Sequence, residues 1–468
     1  MRQHFSPGAY MLAALVMACG SSSSEPTSSA PPPDPLALTP VVDENPDPRI
    51  VEFRLEAREA EKQFGSIPVT RVWTYNGTIP GPLVDANVGD RLIVHFKNSL
   101  PEPTTVHWHG IRLPAAMDGT LAMQSPIPPG GEFRYEFVLK DAGLFWFHPH
   151  VRTDVQIEKG LAGVIRVRGT DEPVVDDERI IVLDDVRLKD DGSFPTYLDD
   201  TSKMMGREGN TLLVNGVANA TIPVRAGATT RWRILNVANG RFFNLTIPGV
   251  PLWVIGTDGG FYGEPRDVDH VLVAPAERYD VVFQVPANAG GELELRNDPY
   301  ERGHESGLRP PMTVAKVQID TAAPVTNAAP LPRPVQHITR LPDGPVDTPI
   351  VLNEATSPSG EILFTINDAV YPNVPPIMVD NGAIRVLEVK NASEMDHPFH
   401  LHGFFFQILA KDGVPTSAGD LVDKDTVVVP MMSTLKLVAR FDEPGMWMYH
   451  CHINEHSEGG MMGEIHVE

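Results

Sequence analysis

Short runs in which apolar and polar residues alternate recur along the chain, as in RLIVHF from Arg91, EFRYEFVL from Glu132 and TLKLVARF from Thr434. A period of two sends successive side chains to opposite faces of an extended strand. Proline (45) and glycine (39) punctuate these runs throughout. The pattern predicts an all-β protein, and 468 residues exceed what one core accommodates, so several domains are expected.

A repeat organises the strands. VGDRLIVHFKN (Val88 to Asn98), AGATTRWRILN (Ala226 to Asn236) and NGAIRVLEVKN (Asn381 to Asn391) each carry a glycine nine residues before a closing asparagine. Three copies imply three domains of one fold. The expected order is a signal over 1–18, a tether over 19–48, and domains over 49–170, 171–322 and 346–468. A proline-rich linker over 323–345 precedes the last domain, spanning the second so that the third returns to the first.

Composition narrows the partners. With 61 Asp+Glu against 38 Lys+Arg, the net charge is -23, which argues against nucleic acid or anionic lipid. Cys19 closes LAALVMACG, an apolar run after Arg2 that resembles a bacterial lipoprotein signal; a plain secretory signal is the alternative. The Ser/Pro-rich stretch SSSSEPTSSAPPPDPLALTP then reads as a tether. The expectation is export to the cell envelope of a Gram-negative bacterium, in the periplasm or on the outer membrane, as a monomer touching membrane only through a lipidated Cys19. Cys451 is the other cysteine of the chain. It has no disulfide partner in the mature fold, so it is free, reactive or metal-bound.

Histidines follow the repeat. Nine residues after Asn98 and Asn391 stand His107 and His400, opening the pairs His107/His109 and His400/His402. Five residues after Gly143 and Gly445 stand His148 and His450, opening His148/His150 and His450/His452. The same counts in the middle domain reach Leu245 and Ile247, then Arg296 and Asp298, so that domain is expected to hold no metal. Residues i and i+2 of a strand share a face, so each pair aims two imidazoles at one place. Eight such ligands exceed one ion and suit a cluster of about three coppers with open positions.

Cys451, between His450 and His452, points the other way. His456, Met461 and His397 lie nearby in the same domain, and two imidazoles, a thiolate and a weak thioether form a blue-copper ligand set. Domain one has Pro149 where domain three has Cys451, so its equivalent is missing.

HWHG, HPH, HPFHLHG and HCHINEHSEGGM together resemble the four copper motifs of the multicopper oxidases, from about residue 50 to 468. The resemblance implies three cupredoxin-like Greek-key barrel or sandwich domains, four coppers, and an enzyme that couples oxidation of a small reducing substrate to reduction of dioxygen to water. It puts His397, Cys451, His456 and Met461 on type 1 copper, and His107 and His400 on type 2. His109, His148 and His452 would hold one type 3 copper, and His150, His402 and His450 the other. The axial methionine resembles the bacterial members rather than those with leucine or phenylalanine at that position, and the chain as a whole resembles the bacterial laccase-like three-domain type.

Two acids are expected to serve the four protons of the reaction. Asp118, nine residues after His109, matches an acid that bacterial relatives carry beside the cluster. Ser457 replaces a second such acid, leaving Glu458 or a water held by Ser457 as substitutes. Phenols or aromatic amines are the expected substrates, with Cu(I) or Fe(II) as the alternative and a copper-free envelope protein as the rival of another class. Met204/Met205 are weighed as a Cu(I) stop against loop packing, and the Asp298 to Met312 stretch as a rim feature against a surface loop.

Overall fold

Each repeat copy forms a strand near the centre of a sheet, and the surrounding order is the same three times. Arg91–Asn98 pairs in parallel with the first strand of its domain, Ile50–Lys62, and antiparallel with Glu132–Val138. Thr229–Asn236 does so with Asp177–Val186 and Arg278–Gln284, and Ala383–Asn391 with Thr348–Thr356 and Thr434–Phe441. The computed structural model describes residues 34–196, 199–333 and 338–468; Cys19 and the signal and lipidation expected there lie outside them. Strands within 50–168, 177–320 and 348–467 build three pairs of sheets, of four and four, seven and five, and seven and five strands. The fold is all-β, in three cupredoxin-like domains.

The glycine and the asparagine of the repeat each have a structural task. Gly89, Gly227 and Gly382 have φ of +85°, +79° and +84°, a turn conformation that side chains resist. The asparagine amides are buried and tie three chain segments. Asn98 donates to the carbonyls of Glu102 and Ile127 and accepts from the Leu100 N–H, all at 2.9 Å. Asn236 and Asn391 repeat the pattern with Arg241, Val273 and Ala238, and with Met395, Val429 and Ser393. Buried amides must be satisfied, and doing so here fixes the path into the next strand.

Packing joins the domains. Leu36–Glu468 is one compact unit, and a single buried cluster takes in Phe53, Trp108 and Phe147 of the first domain with Phe399, Trp447 and Ile465 of the third. A second cluster fills the middle domain. A third mixes Trp146 and Val164 with Val182 and Leu235, fastening the first domain to the second.

The middle domain differs from expectation by one residue. His107 pairs with His148, and His400 with His450, but the partner of Arg296 is Thr246, not Leu245. Leu245 and Ile247 therefore point into their own core, as Trp108 and Phe399 do. A slip of one residue exchanges the faces of a strand. Arg296 and Asp298 meanwhile pair with each other at 2.5 Å.

Candidate metal centre

The strand Gly445–Cys451 separates two clusters of ligand-type side chains. Cys451 pairs with Phe399 on the core face, whereas His450 pairs with His400 on the other. On the core side, Cys451 Sγ lies 3.5 Å from His397 Nδ1 and 3.8 Å from His456 Nδ1, and those two nitrogens are 3.3 Å apart. Met461 is buried beside them, its carbonyl accepting from the Cys451 N–H at 3.1 Å. All four side chains are at 0% exposure. Burial pushes the Cys451 thiol up and the His397 imidazole down to about 3. Burial therefore makes a free thiolate costly here, and a bound cation offsets that cost.

The other cluster takes its histidines from the strands His107–His109, Gly143–His148, His397–Leu401 and Gly445–Cys451 and the residues just after them. His150, His402 and His450 present ligand atoms within 4.8 Å of one another, as do His107, His400 and His402. The rings of His109, His148 and His452 approach to between 5.0 and 5.7 Å. Burial, reinforced by neighbouring imidazoles, drives His109, His148, His150, His400 and His450 well below the usual histidine range, and His402 to about 4. These rings are neutral donors at neutral pH.

Their partners set the tautomers. Nδ1 of His107, His148, His400 and His450 meets the carbonyls of Asp118, Pro149, Asp425 and Cys451 at 2.9 to 3.0 Å. His402 Nδ1 meets Asp118 Oδ2 at 3.0 Å. A proton held on Nδ1 leaves the Nε2 lone pair bare. Nε2 of His107, His148, His150 and His400 and both nitrogens of His452 are buried without a hydrogen-bond partner. His402 Nε2 and His450 Nε2 face each other at 2.9 Å, lone pair against lone pair. Buried polar atoms are normally satisfied; so many bare nitrogens converging on one place fit metal ions and little else. The carbonyl and carboxylate partners are the outer supports that ligating histidines require.

Asp118 stands where the sequence suggests. It is fully buried, touching His107 Nδ1 at 3.2 Å and His402 Nδ1 at 3.0 Å. Burial alone would raise its carboxyl, but those two rings pull it well below the usual range. Glu458 does not join the cluster. Its exposed carboxylate accepts from the Thr153 N–H and hydroxyl at 2.7 and 2.9 Å, capping the short helix Thr153–Gln156. Ser457 is turned inward, donating to the Asn454 carbonyl at 3.0 Å. The buried acid of this turn is Glu455, which accepts from Asn239 at 3.0 Å and is pushed up to about 7 by burial.

Other residues of the site carry no sequence motif. Asp425 Oδ1 lies 3.1 Å from His109 Nε2 and accepts from Arg278 of the middle domain at 2.7 Å. Arg278 also donates to the Leu144 carbonyl of the first domain at 2.9 Å, so one guanidinium binds all three domains. Its only hint in the sequence is charge, since Asp425 closes DKD ahead of an apolar run. The 298–312 stretch is more than a surface loop. Arg302, 2% exposed, accepts through its carbonyl from the Asp396 N–H at 2.8 Å, beside His397. Its guanidinium donates to the Met205 carbonyl at 2.5 Å. The Asp200–Met205 helix covers His456, whose Nε2 meets the Met204 carbonyl at 3.0 Å.

Comparisons with known proteins point to one family. Sequence models described as multicopper oxidase match residues 57–172, 178–315 and 343–468. The Multicopper oxidase MmcO of Mycobacterium tuberculosis is 33% identical over 88% of this chain and 86% of that one. The solved multicopper oxidase of Campylobacter jejuni, described as a metallo-oxidase, superposes with a TM-score of 0.82 at 28% identity, covering 92% of this chain and 94% of that chain. A laccase-like multicopper oxidase from Ochrobactrum sp., described as active towards lignin model compounds, gives 0.81 at 25% identity, covering 93% and 100%. The chain belongs to the multicopper oxidases, oxidoreductases that use copper to couple a reducing substrate to dioxygen.

Proposed function

We propose that the chain holds four copper ions and oxidises phenols or aromatic amines in the manner of a laccase. His397, Cys451, His456 and Met461 would hold type 1 copper, and His107 and His400 type 2. The sets His109, His148, His452 and His150, His402, His450 would hold the type 3 pair. Copper held by these residues would supply one-electron transfer, so that four substrate molecules could provide the four electrons that, with four protons, reduce dioxygen to two waters. The protein's own share is to aim ten imidazoles, to keep bulk water out, and to connect the two places. That connection is covalent, because Cys451 is bonded through its backbone to both His450 and His452. Asp118 orients His107 and His402 and is the carboxylate placed to pass protons.

The observation that carries the substrate class is a cavity of about 430 Å³ lined by Val155, Ile362, Phe364, Glu361 and Glu458. Phe364 stacks on His456 with ring centres 3.9 Å apart. An aromatic ring in that cavity is one ring away from a type 1 ligand, and the polar lining is mixed in charge, with Arg152 and Lys203 beside the carboxylates. A metallo-oxidase reading has its own support: Glu354 Oε1, buried and without a hydrogen-bond partner, lies 3.9 Å from His397 Nε2. Steady-state kinetics with a phenol, Cu(I) and Fe(II) side by side discriminate the two. A hundredfold preference in kcat/KM, about 2.7 kcal/mol, for a metal ion would overturn the laccase reading. A preparation that binds no copper at all would return the chain to the copper-free class. Export with a lipidated Cys19 rests on the leader sequence alone and is tested by mass spectrometry of the mature N-terminus; the monomer is tested by sedimentation.

A further inference from the structure

Three strands of the third domain set soft donors side by side, away from the residues assigned to copper above. Ile377–Val379, Met462–Val467 and Gly445–Cys451 are consecutive neighbours in one sheet. In it Met378 pairs with His466, and His466 pairs with Met446. Residues directly opposite on adjacent strands share a face, and across the antiparallel pair His466 and Met446 the Cβ atoms are about 4.5–5.5 Å apart; Ile377–Val379 runs parallel to its neighbour. Two thioethers therefore flank one imidazole, on the face opposite the core residues Trp447 and Ile465.

This row is open. Met378 is 53% exposed, and Met446 and His466 are half-buried. Packing alone gives little reason for methionine at such positions, since each gains only a fraction of its burial energy. The histidine is also held from behind. His466 Nε2 lies 2.8 Å from Glu464 Oε2, and the Tyr371 hydroxyl donates to Glu464 Oε1 at 3.1 Å. A carboxylate behind an imidazole holds the ring proton on the nitrogen that faces it, here Nε2, and leaves the other free to ligate, the support that metal-ligating histidines have. That other nitrogen is Nδ1. Met448 stands opposite Glu464 on the next rung and is buried, so a third thioether lies one step inward. Thioethers with one imidazole select soft monovalent ions over Mg²⁺, Ca²⁺ or Mn²⁺.

We propose that Met378, Met446 and His466 form a binding site for one soft monovalent cation, Cu(I) or its redox-silent analogue Ag(I). The site does not depend on the choice between laccase and metallo-oxidase, because it is read without substrate. Copper-loaded protein is titrated with Ag(I) by calorimetry in chloride-free buffer, beside the Met378→Leu/Met446→Leu double variant and His466→Gln. Leucine conserves volume and is tolerated; unchanged copper content and melting temperature show that each variant is folded. The expected result is one Ag(I) equivalent in the parent chain that is lost in the double variant, with at least tenfold weaker binding in His466→Gln. X-ray absorption at the silver edge should find sulfur and nitrogen neighbours together. Equal Ag(I) stoichiometry and affinity in parent and double variant would overturn the proposal, as would a parent chain that binds no Ag(I).

Discussion

Arg278→Met tests whether the middle domain holds the histidine cluster together. Arg278 is 1% exposed and grips Asp425 through two nitrogens, at 2.7 and 2.5 Å. Methionine keeps most of the stem and removes the charge. Asp425 is then left in the interior with the Thr426 hydroxyl at 2.8 Å and His109 Nε2 at 3.1 Å, and the Leu144 carbonyl loses its donor. Stranding one member of a buried pair costs about 3–5 kcal/mol. Asp258 does not add to this, because Lys424 still holds it at 3.0 Å. Asp425→Asn in the Arg278→Met background removes the stranded charge, so the two changes should couple by about 2–3 kcal/mol. Urea unfolding of the four proteins, followed by tryptophan fluorescence and compared at the midpoint of the first transition, gives the cycle. Because Asp425 also supports His109, copper affinity of the cluster should fall about 10- to 100-fold in Arg278→Met. A loss under about 1 kcal/mol, or four energies that simply add, would refute the claim that this guanidinium is a clamp.

Cys451→Ser should abolish the blue absorption and turnover while leaving circular dichroism unchanged; a copper-loaded variant that stays blue would remove Cys451 from the type 1 set. Asp118→Asn should slow reoxidation by dioxygen about tenfold or more without changing the blue band, read by stopped flow after anaerobic reduction, and an unaltered rate would take Asp118 out of proton delivery. Phe364→Ala should raise KM for aromatic substrates about 2- to 10-fold, the worth of one stacking contact; equal KM would place the reductant elsewhere. Asn236→Ala should destabilise the chain by about 2–4 kcal/mol in urea, since it strips two buried carbonyls and one N–H of their partners, although this domain holds no expected copper ligand.

The cluster residues were legible because strand geometry turns spacing into direction. His107/His109 and His450/His452 could be assigned a common face, and Cys451 the opposite one, from the period of two alone; the pairing of Cys451 with Phe399 and of His450 with His400 is that alternation realised. Counting failed where a loop could absorb a residue. Leu245 matched His107 by distance from the repeat asparagine, yet the connection is one residue out of step and the match belongs to Thr246. Asp425 and Arg278 had no periodic signature, since their meeting depends on how domains dock, and docking leaves no local pattern. Glu458 illustrates the same limit: helix Asn454–Glu458 turns neighbouring acids to different sides, so Glu455 is buried and Glu458 ties down Thr153.

The knot formed by Asn98, Asn236 and Asn391 has a consequence for how such a chain can change. All three amides hold the same turn, whether a histidine pair follows or not. Residues that keep a domain in shape are thus distinct from those that give it chemistry, and the second kind can be lost, gained or moved while the first stays put. The middle domain is in that sense a vacant socket, and Thr246 and Arg296, paired as His107 and His148 are, mark where an engineer would plug in new donors.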